Sequence, residues 1–165
     1  MFDGFLKSIG LRTRSKTLLS PLAGKVISLS EVQDQTFAAG LLGQGVAVVP
    51  TGDKVVAPAD CKVEAVFPTG HAVALHTNDG LDVLIHIGLD TVKLDGRHFG
   101  VRASVGQAVK RGDVLIEFDR AAIQQEGFDV TVPILVCNAV EFASIKGNVG
   151  ASVSELDELI SVRCR

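Results

Sequence analysis

Tryptophan and tyrosine are absent from this sequence, and eight phenylalanines are its only aromatic residues. That argues against the stacking platforms that carbohydrate-binding and base-reading surfaces need. Cysteine is scarce: Cys61, Cys137 and Cys164 form no close pair and leave an odd number. A disulfide framework and a Cys-x-x-Cys metal knuckle are both excluded on that count, and a reducing compartment is expected. Neither sign of charge dominates, since 16 Lys and Arg stand against 19 Asp and Glu. No strongly basic surface of the kind that holds nucleic acid is implied. No apolar run is long enough to cross a bilayer, and no secretory leader with a cleavage site opens the chain. The expected location is cytoplasmic.

What remains is an ordinary globular composition, 47 % apolar and 21 % charged over 165 residues, enough for one domain with a proper core. Residues 1–17 read as a leader and residues 18–165 as the domain. In the leader, Phe2, Phe5, Leu6 and Ile9 recur at helical spacing, with Lys7, Arg12, Arg14 and Lys16 between and after them. Two readings stand: a basic amphipathic segment resting on an anionic membrane face, or a leader too short to hold a helix in water.

From Leu18 onward, short apolar runs are broken by Gly, Pro, Asn and Asp. Lys25 to Leu29, Gly45 to Val49, Lys62 to Phe67, His71 to His76, Leu81 to Ile87, Asp113 to Phe118 and Thr131 to Val136 are the runs. Turn chemistry such as Pro50-Thr51-Gly52-Asp53, Pro68-Thr69-Gly70 and Asn78-Asp79-Gly80 separates them. Short strands at this spacing predict an all-β, antiparallel sandwich or barrel with little helix. Arg120 to Glu126 alone reads as helical, and Val153 to Arg165 as a hairpin about Leu156-Asp157-Glu158.

Titratable side chains converge among apolar ones only between His71 and Asp90. Asn78-Asp79-Gly80 between two β-rich runs is a hairpin signal. A two-residue turn at Asp79-Gly80 sets Val73 opposite His86 and brings His71 two positions along on the same face, roughly 7–8 Å away at the backbone. A one-residue change of loop length undoes that, because side chains alternate. Two imidazoles on one face suit phosphoryl transfer, one ring nitrogen acting as nucleophile while the second ring donates to the transferred group. They equally suit zinc, with His71 and His86 as ligands and two more required. His76 and His98 read as surface residues.

The run Ile85-His86-Ile87-Gly88-Leu89-Asp90-Thr91-Val92 resembles the signature of glucose-type enzyme IIA of the phosphoenolpyruvate sugar phosphotransferase system, with His71 fifteen positions before His86 as in that family. The likeness extends through Pro21-Leu22-Ala23-Gly24, Gly45 to Gly52, Val56-Ala57-Pro58 and Gly112 to Asp119. It implies a β-sandwich in which His86 takes phosphate on Nε2 from the phosphocarrier HPr and passes it to the IIB domain of a sugar permease. By the same resemblance His71 supports the phosphoryl group, and the Gly88 carbonyl and Thr69 hydroxyl hold the Nδ1 protons of His86 and His71. Asp90 orients or repels the phosphate. Asp34, Phe37, Phe67, Leu84, Ile85 and Ile87 match positions around the partner-binding depression. Leu84 and Ile87 stand where the family often has aromatic residues. No cofactor is required, although zinc at the histidine pair is part of the family picture.

Other readings compete. A regulatory role would have the unphosphorylated form bind and inhibit permeases or metabolic enzymes such as kinases. A zinc peptidase of related fold needs a His-x-His pair, which is missing here. A biotin or lipoyl carrier would use Lys110, but biotin attachment needs flanking Met, and Met1 is the only one.

Overall fold

A computed structural model describes residues 14–165. Its strands are β1 (Ser15–Leu19), β2 (Gly24–Ser28), β3 (Gln44–Pro50), β4 (Lys54–Val56), β5 (Cys61–Val66), β6 (Ala72–Thr77) and β7 (Asp82–His86). They continue as β8 (Phe99–Val101), β9 (Ala108–Val109), β10 (Val114–Phe118), β11 (Val132–Val136), β12 (Phe142–Gly147), β13 (Ser152–Val153) and β14 (Glu158–Cys164). Two short helices interrupt them, α1 (Gln35–Ala38) and α2 (Arg120–Gln125). The expected helix is α2, begun by the Asp119 carboxylate accepting the Ala122 N–H. Four-residue α1 was not foreseen, because so short a helix carries no period.

An eight-stranded sheet runs in the order β13-β2-β3-β11-β7-β6-β5-β9, with two three-stranded sheets, β1-β14-β12 and β4-β10-β8, beside it. The pairings along β2, β3, β11, β7 and β6 are all antiparallel. The all-β antiparallel sandwich expected from the breaker pattern is the fold.

Strand alternation gives the large sheet two unlike faces. Val26, Val48, Val83, Ile85 and Ile134 turn into the main core. Their neighbours Ala47, Leu84 and Leu135 turn the other way, under a small second cluster with Leu29, Val32 and Phe37 from the chain around α1. Each fully buried Val, Leu or Ile contributes about 1.5–3 kcal/mol of transfer free energy. The main core therefore holds the sandwich, and the smaller cluster mainly seats α1 on the sheet.

Three expectations are corrected. The β6–β7 loop is three residues long: the Thr77 N–H donates to the Leu81 carbonyl at 2.9 Å, and the Gly80 N–H to the Thr77 carbonyl at 2.9 Å. Gly80 at φ 95° supplies the left-handed residue that a three-residue hairpin loop needs. The register shifts by one, so Ala72 and not Val73 faces His86. The C-terminal turn at Leu156 exists, but β13 pairs with β2 and β14 with β1 and β12, so no hairpin forms there. Ser15, Lys16 and Thr17, placed in the leader by sequence, pair with Arg163, Val162 and Ser161 as part of β1. The amphipathic reading of Phe2 to Ile9 lies outside the described residues.

Candidate functional site

His86 ends β7 on the sheet face that carries Leu84, the face away from the main core. In the observed register, alternation alone would turn His71 toward the opposite face. His71 escapes this because it precedes β6. The turn Phe67-Pro68-Thr69-Gly70, closed by the Gly70 N–H to the Phe67 carbonyl at 2.7 Å, lies just before it. The His71 carbonyl still accepts the Ile87 N–H at 2.7 Å. The two rings meet edge to face, centroids 4.8 Å apart and planes at 78°.

Each ring is held at Nδ1. His86 Nδ1 lies 2.7 Å from the Gly88 carbonyl oxygen. A carbonyl can only accept, so this nitrogen carries the proton and Nε2 keeps the lone pair. His71 Nδ1 lies 2.6 Å from Thr69 Oγ1. A hydroxyl can give or take a proton, so His71 is free to present Nε2–H as a donor or Nε2 as an acceptor.

Phe37, seated by α1, packs on His86 with centroids 4.9 Å apart, and Phe67 meets His71 edge-on at 5.3 Å. The Asp34 carboxylate starts α1 by accepting the Thr36 N–H at 3.0 Å. Burial lowers the His86 pKa below the ordinary imidazole value; the Gly88 carbonyl and then the Asp34 and Asp90 carboxylates oppose it. His71 is 3 % exposed. Burial, followed by the neighbouring His86, pushes its pKa down to about 4.

That shift has a consequence for stability. Between about pH 4 and pH 6.5 the unfolded chain binds a proton at His71 that the folded chain refuses, so stability falls as pH falls through that window. The loss, of order 3 kcal/mol in full, should level off once both states are protonated. Urea denaturation at pH 7 and pH 4.5 should show a smaller drop for His71→Ala than for the parent chain. An equal drop would mean that His71 titrates normally.

The carbonyl that holds His86 is itself clamped. Gly88 sits at φ 79°, and a Cβ there would come within 2.5 Å of Thr91 Cγ2 and 2.9 Å of the Asp129 carbonyl oxygen. Gly88→Ala should therefore cost about 2–5 kcal/mol, left-handed strain and overpacking together. A chemical-denaturation midpoint unchanged from the parent would contradict this. Thr91 is wholly buried and donates to the Ile87 carbonyl at 2.5 Å. Sequence reasoning gave Thr91 no role; its signal was a threonine four residues after that carbonyl.

His71, His86, Thr69, Gly88, Phe37 and Phe67 are thus brought together, with Asp34 and Asp90 close enough to act on the His86 charge. Ile85 and Ile87 are not part of the exposed rim. Both are 0 % exposed and packed in the main core, since alternation from His86 sends them inward. Leu84 lies half-buried beside Phe37 in the smaller cluster. His76 and His98 stay apart, each against a carboxylate, Asp82 and Glu126.

Among the described residues no group of three or more His, Cys, Asp or Glu side chains is placed to hold a metal ion. The zinc suggested for His71 and His86 has no third protein ligand among them. A cavity of about 620 Å³ lies at the far end of the β6–β7 hairpin, lined by Asp60, Asp79, Lys110 and Arg111 among others, away from the imidazoles.

Comparison with known proteins bears on this arrangement. The family model described as phosphoenolpyruvate-dependent sugar phosphotransferase system, EIIA 1, matches residues 16–142. The chain is 39 % identical over 150 residues to the PTS system glucose-specific EIIA component of Bacillus cereus, covering 91 % of each. It is 42 % identical over 151 residues to the PTS system beta-glucoside-specific EIIBCA component of Dickeya chrysanthemi, covering 92 % of this chain. It spans only 24 % of that longer relative, and 19 % of the mannose-specific EIIBCA component of Corynebacterium glutamicum. The solved structure of glucose permease IIA from Mycoplasma capricolum superposes with a TM-score of 0.80 at 31 % identity, covering 90 % of this chain and 96 % of that one. The family model spans both histidines and the strands that carry them, and a relative alike over nearly its whole length agrees with it: the chain belongs to the EIIA family of the phosphoenolpyruvate-dependent sugar phosphotransferase system.

Proposed function

We propose that this chain is a phosphoryl carrier of the sugar phosphotransferase system, loaded at His86 Nε2 by phospho-HPr and discharged to the IIB domain of a sugar permease. One observation carries the reading: the Gly88 carbonyl holds the Nδ1 proton of His86, so the nitrogen left free is the nucleophile, and a second imidazole stands 4.8 Å away.

In the transfer, the Nε2 lone pair forms a bond to phosphorus while the bond from phosphorus to the donor's imidazole nitrogen breaks. The leaving electron pair returns to the donor ring. The His86 ring keeps its Nδ1 proton and becomes positively charged, so the hydrogen bond to Gly88 becomes charge-assisted and stronger. Asp34 and Asp90 favour the charged ring by the same electrostatics that oppose its pKa depression. His71 Nε2–H, with Thr69 donating to Nδ1, would stabilise the negative charge spread over the phosphoryl oxygens. Discharge is the reverse chemistry toward a different nucleophile.

Both partners would meet one small face. Phe67, 37 % exposed, and half-buried Leu84 form its apolar part, Phe37 backs it, and Asp34 and Asp90 offer negative charge to a basic partner. A contact that must release quickly buries roughly 1,200 Å² or less in total. The cytoplasmic side of the membrane is where such a carrier would work.

The test is incubation with phosphoenolpyruvate, enzyme I and HPr. One acid-labile phosphate per chain is expected, dependent on all three additions, and discharged by an added IIB domain. A chain that stays unlabelled while a control EIIA is labelled would end this reading.

A further inference from the structure

The hydrogen bond that selects the His86 nucleophile does not end at Gly88. The carbonyl of Gly88 and the N–H of Leu89 belong to one planar peptide unit, so they point in opposite directions and turn together. The Leu89 N–H donates to the Asp129 carbonyl at 2.9 Å, while the Gly88 N–H donates to the Thr131 carbonyl at 3.1 Å. Asp129 also uses its side chain: Oδ1 accepts the Thr131 N–H at 2.8 Å, closing an Asx turn just before β11. The exposed segment that follows α2 thereby grips the peptide that grips His86.

We infer that Asp129 is a positioning residue for the phosphoacceptor, its carboxylate fixing its own turn so that its carbonyl sets the Gly88–Leu89 peptide and hence the Nδ1 proton of His86. The inference rests on the phosphocarrier reading for its consequence, and on geometry alone for its effect on the imidazole. Two observations and one general property of linked hydrogen bonds point the same way. The Asp129 carbonyl lies 2.9 Å from where a Gly88 Cβ would be, so the two backbones are in direct contact. Asp129 is exposed, outside both apolar clusters, so its side chain adds no core packing. Hydrogen bonds linked through a peptide unit polarise one another, so an anchored Leu89 N–H makes the Gly88 oxygen a better acceptor.

Asp129→Ala removes the side-chain acceptor and frees the turn. Asp129→Asn keeps an Oδ1 in the same place without the charge, and Asp129→Ser offers a weaker hydroxyl substitute. Imidazole nitrogen NMR reads the His86 tautomer directly, with no phosphoryl transfer required. The share of His86 carrying its proton on Nε2 should rise in Ala, rise less in Ser and stay at the parent level in Asn. The rate constant for uptake from phospho-HPr should fall about two- to tenfold in Ala, the range of one neutral hydrogen bond, with KM for phospho-HPr unchanged. Asn should restore it.

An unchanged tautomer share and rate in Ala would overturn the assignment. So would equal loss in Ala and Asn, which would make charge the agent, or a change confined to KM, which would make Asp129 a partner contact. Should Ala fail to fold, the Ser and Asn pair decides on the same readouts. A parent chain that takes no phosphate would defeat the functional reading, while the tautomer series would still judge Asp129.

Discussion

His86→Ala should take up no phosphoryl group from phospho-HPr under conditions that label the parent chain fully. The substitution removes the only atom proposed to bond phosphorus, so the rate should drop at least about 10⁴-fold, to background. His71 cannot substitute: it is 3 % exposed, and its ring lies behind the edge contact with Phe67. The fold should survive, because the main core lies on the other face of the sheet and receives nothing from His86. Circular dichroism of the variant should match the parent while phosphate labelling disappears. Persistent acid-labile label on a folded His86→Ala chain would move the acceptor elsewhere, and the proposal for this site would fail with it.

The second large effect is expected at His71. His71→Ala should still accept phosphate at His86 when phosphoenolpyruvate drives the reaction for minutes, yet pass it to a IIB domain about 10²–10³-fold more slowly. That factor is the usual cost of deleting one preorganised donor to a developing oxyanion. Loading read as an end point hides a slow step, because the donor is strongly favourable and time is allowed. Discharge read as a rate does not. Removing a buried ring also opens a cavity between Phe67 and His86, so the variant should be less stable at pH 7, by about 1–3 kcal/mol. Discharge at the parent rate by a variant shown to be fully loaded would remove His71 from the chemistry and leave it a packing role.

Much of the fold was legible in single residues. Seven of the runs bounded by Gly, Pro, Asn and Asp became strands β2, β3, β5, β6, β7, β10 and β11, within a residue or two at each end. Strands such as β4, β8, β9 and β13 were not visible, since two or three residues cannot display a period of two. The C-terminal turn was visible and its pairing was not. Leu156-Asp157-Glu158 has turn chemistry, but the strands that β14 pairs with, β1 and β12, are marked by no local pattern.

The site was legible in a different manner. The spacing of His71 and His86 and the Gly88 after it were readable in the motif, and both Nδ1 atoms lie against the expected oxygens, although a His71 that donates from Nε2 needs Thr69 to give Nδ1 a proton rather than hold one. The resemblance placed Ile85 and Ile87 around the depression, but they flank His86 along the chain and therefore point away from it, into the core. Asp129 gave no signal at all, because what it offers Leu89 is a backbone carbonyl that every residue type possesses.

The residue types by themselves determined the chemistry available here: alternating short runs make an antiparallel sandwich, and imidazole can hold a proton at one nitrogen while attacking with the other. Tertiary structure decided whether the two rings would meet. Strand parity in the observed register assigns His71 and His86 to opposite faces of the sheet. The Pro68-Thr69-Gly70 turn overrides parity just before β6 begins, and the clamped Gly88 carbonyl keeps the His86 proton on Nδ1 and leaves the lone pair on Nε2. Parity is a local property that sequence carries, whereas the direction of a side chain beyond a strand's end depends on turn dihedrals and on the backbone packed against it.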